Sequence, residues 1–213
     1  MPSNNTYKIK TKNANLFLRV SNGHFATNHS HINYYIDVTT QKTRLSEAKA
    51  VAEALVRYYS HNTIVDTVLC LDGTQVIGTC LADALTEGNF TNLNAHQTIY
   101  VVTPEHTSGS QLIFRDNIIP AIAGKNVLIL AASVTTGYTA KSAVEAIQYY
   151  GGTVAGISSI FATVHECMGY AVNSVFDTGD LGDYASYPSH ECPLCRQGKK
   201  IDALVNSFGY SKI

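Results

Sequence analysis

The chain has almost no net charge with which to gather a polyanion. Its 15 Lys and Arg are matched by 16 Asp and Glu, leaving −1 at pH 7 and a pI of about 6.7. No global field would draw nucleic acid or an acidic membrane to it, so neither is expected as a partner. No apolar run is long enough to span a bilayer, and Met1 to Thr6 carries no basic-then-apolar leader, which makes the cytoplasm the expected location. The five cysteines are odd in number and Cys70, Cys80 and Cys167 stand alone, which fits reduced buried thiols rather than a disulfide framework. Cations are also missing locally: no Lys or Arg occurs from Tyr58 to Phe114.

What is present is organised around one stretch. The apolar run Val127-Leu128-Ile129-Leu130 suits a strand buried on both faces, and Ala140, Ala143, Val144 and Ile147 recur at helical spacing up to Gly151-Gly152. Between them lie Thr135, Thr136, Gly137, Tyr138 and Thr139. A hydroxyl-rich turn with a glycine, placed at the positive end of a helix, can aim its backbone N–H groups at an anion. Phosphate binding is therefore expected at this turn, against the plainer reading of a helix cap.

The same pattern occurs earlier. Ile64 to Leu71 reads as a strand, Asp72-Gly73 as a turn, and Thr74 to Thr86 as a helix with Val76, Ile77, Cys80, Leu81, Ala84 and Leu85 inward. An amphipathic helix precedes it, with Leu45, Ala48, Val51, Ala52, Leu55, Val56 and Tyr59 on one face and Thr43 or Ser46 as its cap. Further strands are expected at Leu16 to Val20, up to Asp37, at Thr98 to Val102 and at Gly152 to Phe161, with a turn at Asn22-Gly23. Strands alternating with amphipathic helices predict an α/β fold, a mainly parallel doubly wound sheet with ligands beyond the strands' C-terminal ends.

Two features bear on metal. Cys192-Pro193-Leu194-Cys195 has the spacing of half a zinc site, for which His165 and Cys167 are possible partners, although buried thiols or a redox pair give the same pattern. His29 and His31 alternate along an extended segment without a carboxylate or cysteine at a companion spacing. The aromatic run Tyr184 to Pro188 is expected to pack the tail onto the domain.

These residues together resemble the type I phosphoribosyltransferases, and most of all the orotate phosphoribosyltransferases. Val127 to Leu130 match the family's strand, and Thr135, Thr136, Gly137 and Thr139 match the loop that wraps the 5-phosphate of phosphoribosyl pyrophosphate. Gly23-His24-Phe25 with Tyr34 to Asp37 resembles the base-binding segment, and Asp72, Gly73 and Thr74, on toward Gly78, sit where the pyrophosphate loop lies. Cys192 to Cys195 resembles the tail of some long members. The resemblance implies a hood at 1–40, a phosphoribosyltransferase-like core at 41–180 and a tail at 181–213. It also implies Mg²⁺ accompanying phosphoribosyl pyrophosphate, a phosphorylated sugar or nucleotide as ligand, and a homodimer.

The chain departs from that family at its reacting centre. The two acidic residues that hold the ribose hydroxyls are here Ala131 and Ala132, and the segment from Val102 to Ser110 has none of the lysines or arginine of the catalytic loop, offering only Glu105 and His106. The basic residue that would meet the base's carboxylate is replaced around Asn28, His29 and Ser30. Each preorganised charge-stabilising group is typically worth roughly 10²–10³ in rate. Two functions follow as alternatives: a binding protein for a 5-phosphorylated ribose or nucleotide with catalysis weak or lost and no catalytic residue assigned, or an active transferase using Asp37, Asp72, Ser133 or a partner subunit instead.

Overall fold

The computed structural model describes residues 6–10, 16–28, 30–87, 92–95, 97–107 and 111–213. In chain order the elements are β1 (Thr6–Lys10), β2 (Phe17–Ala26), β3 (His31–Asp37), α1 (Thr39–Thr43), α2 (Leu45–Val56), β4 (Thr67–Cys70), α3 (Gln75–Thr86) and β5 (Tyr100–Val102). After them come β6 (Glu105–His106), β7 (Leu112–Ile113), β8 (Asn126–Val134), α4 (Tyr138–Tyr149), β9 (Thr153–Ala162), β10 (Glu166–Cys167) and β11 (Tyr170–Asp177). The tail supplies β12 (Ser186–Tyr187), α5 (Pro193–Arg196), β13 (Ala203–Asn206) and β14 (Gly209–Lys212). Two compact units result: 41–177, and 1–40 together with 178–213.

The larger unit is the α/β fold. Its sheet runs β10-β11-β9-β8-β4-β5, with every pair parallel except β10 on β11. Numbering the parallel strands by their order along the chain, the spatial order is 2-1-3-4-5, a doubly wound arrangement whose strand order reverses between β4 and β8. Strand alternation sends Val127, Ile129 and Ala131 into one apolar cluster with Ala140, Ala143, Val144 and Ile147 of α4. Leu128 and Leu130 face the other side, where α2 and α3 pack together, and both are fully buried. Helix α4 ends in a Schellman motif: Gly152 N–H donates to the Ile147 carbonyl at 2.9 Å and Gly151 N–H to that of Gln148 at 3.0 Å, with Gly151 at φ 79°. Among the described residues, no helix is long and apolar enough to cross a membrane.

The smaller unit joins the two ends of the chain in one sheet of order β12-β3-β2-β13-β14, with β1 on β2. Phe25, Ile32, Tyr35, Ala203 and Val205 form its core, with Tyr184 packed against it. The aromatic run before the cysteines thus packs the tail onto the N-terminal strands, and burial pushes the Tyr184 hydroxyl up to about 12.

Several local expectations need correction. Asn22-Gly23 is no turn but lies inside β2, where the pairing with β3 shifts register between Asn22 and Phe25. A Cβ at Gly23 would lie 2.7 Å from both Asp202 Oδ2 and the Phe25 ring, so close approach explains this glycine. The N-cap residue of α2 is Arg44 rather than Thr43 or Ser46, and Leu45 is exposed, as is Val76 at the start of α3. The terminal turn of an amphipathic helix leaves the core before its periodicity ends.

Candidate functional site

The reversal of strand order places the turns after β4 and β8 side by side. Leu71 N–H donates to the Leu130 carbonyl at 2.8 Å, and Thr74 Oγ1 donates to the carbonyls of Leu71 (2.8 Å) and Leu130 (3.0 Å). Thr74 N–H closes on the Leu71 carbonyl at 3.1 Å, while Asp72 and Gly73 have φ of 55° and 77°. Two successive left-handed residues inside such a bond are the signature of a type I′ turn, for which Asp-Gly is a favoured pair. Of the three residues matching the pyrophosphate loop, Thr74 is fully buried and its single proton is engaged by carbonyls, so only Asp72 and Gly73 are presented outward.

Asp72 is the charged centre of this turn. Burial raises its pKa, against the opposing pull of the Lys42 ammonium, a backbone N–H bond from Ala132 and the nearby His106. Its carboxylate thus sits against the backbone of Ala132 in β8. Lys42, nine-tenths buried in α1, donates from Nζ to the Asp72 carbonyl oxygen at 2.8 Å. This cation enters the site from 30 residues upstream, beyond the reach of any local spacing.

The turn after β8 has the expected form. Gly137, at φ 76°, precedes α4 without a side-chain cap, and its carbonyl accepts Lys141 N–H at 2.8 Å. Helix geometry leaves the first N–H groups of α4 without intrahelical acceptors. Thr136, Tyr138 and Thr139 are exposed and Thr135 and Gly137 half-buried, so the turn opens to solvent. It is braced from behind: Thr163 Oγ1 donates to the Thr135 carbonyl at 2.7 Å, Thr163 N–H to that of Val134 at 3.0 Å, and Cys167 Sγ lies 3.7 Å from the Gly137 carbonyl. Cys167 is half-buried rather than buried, and burial raises its pKa against the pull of Lys141.

Ala131 and Ala132 are both buried, and Ala131 packs in the α4 cluster. Of the catalytic-loop candidates, Glu105 is gripped by Arg115: Nε lies 3.0 Å from each carboxylate oxygen and Nη2 2.7 Å from Oε2. That guanidinium holds the Glu105 carboxyl below its usual range. Residues 108–110 of the loop lie outside the described residues.

The metal candidates sort differently from the sequence expectation. His165 and Cys167 belong to the larger unit, at β10. His29 lies outside the described residues. Cys192 and Cys195 instead meet His24 and His31, with one ligand atom from each all within 4.8 Å of one another. No sequence spacing announces this, because His24 and Cys192 are 168 positions apart.

Comparison with known proteins gives no matching family model. The orotate phosphoribosyltransferase of Chlorobium phaeobacteroides is 25% identical over 188 residues, spanning 85% of this chain and 86% of that protein. The crystal structure of Mycobacterium tuberculosis orotate phosphoribosyltransferase superposes with a TM-score of 0.53 at 20% identity, covering 78% of this chain and 93% of the other. The adenine phosphoribosyltransferase of Thermoanaerobacter pseudethanolicus gives 0.50 at 17% identity, over 68% and 88%. The chain has the fold of the type I phosphoribosyltransferases, and along most of its length its sequence is similar to that of an orotate phosphoribosyltransferase.

Proposed function

We propose that the larger unit binds the 5-phosphate of a phosphorylated ribose or nucleotide on the turn from Thr135 to Thr139, and that base transfer from phosphoribosyl pyrophosphate is weak or lost. The observation that carries this is the position of a solvent-open helix start, led by Gly137, at the point where the strand order reverses and just after Ala131 and Ala132 in β8. An anion there gains roughly 0.3–2 kcal/mol from the helix dipole, in addition to direct N–H bonds. At Ala131 and Ala132, where the resemblance places the acceptors for the ribose hydroxyls, the side chains are buried methyl groups that accept no hydrogen bond. Mg²⁺ would find one carboxylate on the two turns, Asp72, which fits an ion held mainly by substrate oxygens. When bound, it would offset the charge of departing pyrophosphate, and Lys42 would steady the turn behind it.

The test is a steady-state assay with orotate, phosphoribosyl pyrophosphate and Mg²⁺. If the missing acids and missing loop cations each remove roughly 3–4 kcal/mol of transition-state stabilisation, turnover falls about four to six orders of magnitude below a typical ~10 s⁻¹. Turnover near that typical value would contradict the proposal.

A second reading, a working transferase with non-standard residues, is favoured by one contact. The Asp72 carboxylate takes the Ala132 N–H, placing an acid beside the position that lacks one. In that case Asp72→Asn would abolish a measurable activity rather than alter binding alone.

A further inference from the structure

We infer that His24, His31, Cys192 and Cys195 form a structural zinc site that joins the β2–β3 hairpin to the C-terminal tail. The four atoms are His24 Nε2, His31 Nδ1 and the two Sγ, all within 4.8 Å of one another, and the four separations that involve a His24 or His31 nitrogen below are close to the edges of a tetrahedron around a metal. His24 Nε2 lies 3.1 Å from His31 Nδ1, 3.5 Å from Cys192 Sγ and 3.7 Å from Cys195 Sγ, and Cys195 Sγ lies 3.3 Å from His31 Nδ1. Zinc with ordinary bond lengths of about 2.0–2.1 Å to nitrogen and 2.3 Å to sulfur requires edges of about 3.3 Å between nitrogens and about 3.5 Å between nitrogen and sulfur.

Hydrogen bonding among the four groups does not account for this convergence. His24 Nδ1 lies 2.9 Å from the Lys199 carbonyl oxygen, which can only accept, so Nδ1 carries the proton. In the neutral ring Nε2 then has a single lone pair, yet it faces three heteroatoms within 3.7 Å. His24 is fully buried and Cys192 is 1% exposed, while His31 is half-buried and Cys195 exposed, so the cluster reaches the surface on the His31 and Cys195 side and the His24 ring is closed to water. A cation shared by all four removes the conflict, because both imidazoles donate lone pairs and both thiols ionise. Zn²⁺ with two thiolates is then electrically neutral, which permits burial. The Lys199 carbonyl is the outer partner that fixes the tautomer and orientation of a liganding histidine.

The local backbone is built for the purpose. Cys192 is the N-cap of α5, Arg196 N–H donates to its carbonyl at 3.2 Å, and Gly198 at φ 71° donates to that of Cys195 at 2.9 Å, so a tight knuckle turns both sulfurs the same way. On the hairpin side, His24 N–H donates to Asp202 Oδ2 and Asp202 N–H returns to the His24 carbonyl, each at 2.7 Å. Four protein ligands leave no open position, which marks a structural rather than a catalytic metal.

The experiment measures metal in the full chain purified without added zinc. About one zinc per chain is expected, with loss from Cys195→Ser and His31→Ala and retention in His165→Ala. Should a ligand variant fail to fold, Co²⁺ added to chelator-treated wild type reads the same site: intense tetrahedral absorption with thiolate-to-cobalt charge transfer is expected, displaced by stoichiometric Zn²⁺. Ligand variants that do fold should bind Co²⁺ at least a hundredfold more weakly. The inference is overturned by metal-free protein whose stability ignores chelator and added zinc, by octahedral cobalt without charge transfer, or by a Cys192–Cys195 disulfide in protein kept under mild reductant.

Discussion

The Lys42 ammonium donates to the Asp72 carbonyl oxygen across 2.8 Å, which brings a buried cation to a turn whose own stretch of sequence, Tyr58 to Phe114, contains none. Lys42→Met removes that bond and the charge opposing burial of the Asp72 carboxyl, so the carboxyl titrates at still higher pH. The expected stability loss is about 1–3 kcal/mol, read by chemical denaturation, together with weaker binding of pyrophosphate by calorimetry. Unchanged stability and affinity would remove Lys42 from the account.

The raised pKa of Asp72 has a defined sign in pH. The folded state holds its proton to higher pH than the unfolded chain, so Asp72 lowers stability as pH rises from the ordinary carboxylate range through the folded value. Asp72→Asn keeps an acceptor for the Ala132 N–H and tolerates the left-handed backbone. It should raise the melting temperature by up to a few degrees at neutral pH and leave it almost unchanged in acid, below the ordinary carboxylate range. An equal shift at both pH values would contradict the assignment.

Ala131 and Ala132 are not equivalent. Ala131 packs among Val134, Ala140, Ala143 and Val144, so Ala131→Asp buries a carboxylate among apolar side chains and should cost roughly 1–3 kcal/mol by chemical denaturation. Ala132→Asp adds an acid beside the Asp72 carboxylate. Calorimetry should find tighter binding of phosphoribosyl pyrophosphate in Mg²⁺, with turnover raised less, since the described part of the 103–110 loop still has no lysine. Tighter binding without Mg²⁺ would point to another cause.

Much of the fold was legible because its signals are local. The buried run at Val127, the helical spacing from Ala140 and the Gly151-Gly152 stop lie within one strand–turn–helix, and β8 and α4 follow them. The hydroxyl-rich turn was legible for the same reason. Asn22-Gly23 misled because the same pair that favours a turn also serves a strand in which Asp202 and Phe25 crowd the backbone. β11 has no clear signal in the sequence: the adjacent polar residues Asn173 and Ser174 interrupt its apolar alternation and hide a strand parallel to β9. Lys42 at the Asp72 turn and the histidines beside Cys192 and Cys195 are tertiary contacts between distant segments, and no spacing encodes them.

The most direct test of the central claim is a calorimetric titration of the protein with ribose 5-phosphate, repeated on Gly137→Val. The native turn holds Gly137 at φ 76°, where a branched side chain is strained, and a Cβ there lies 3.4 Å from Cys167 Sγ. A dissociation constant below about 1 mM for the unaltered protein, about −4 kcal/mol, and a loss of at least about tenfold in a folded Gly137→Val variant are predicted. Absence of binding at millimolar ligand, or binding that the variant leaves unchanged, would contradict the claim that this turn holds a 5-phosphate.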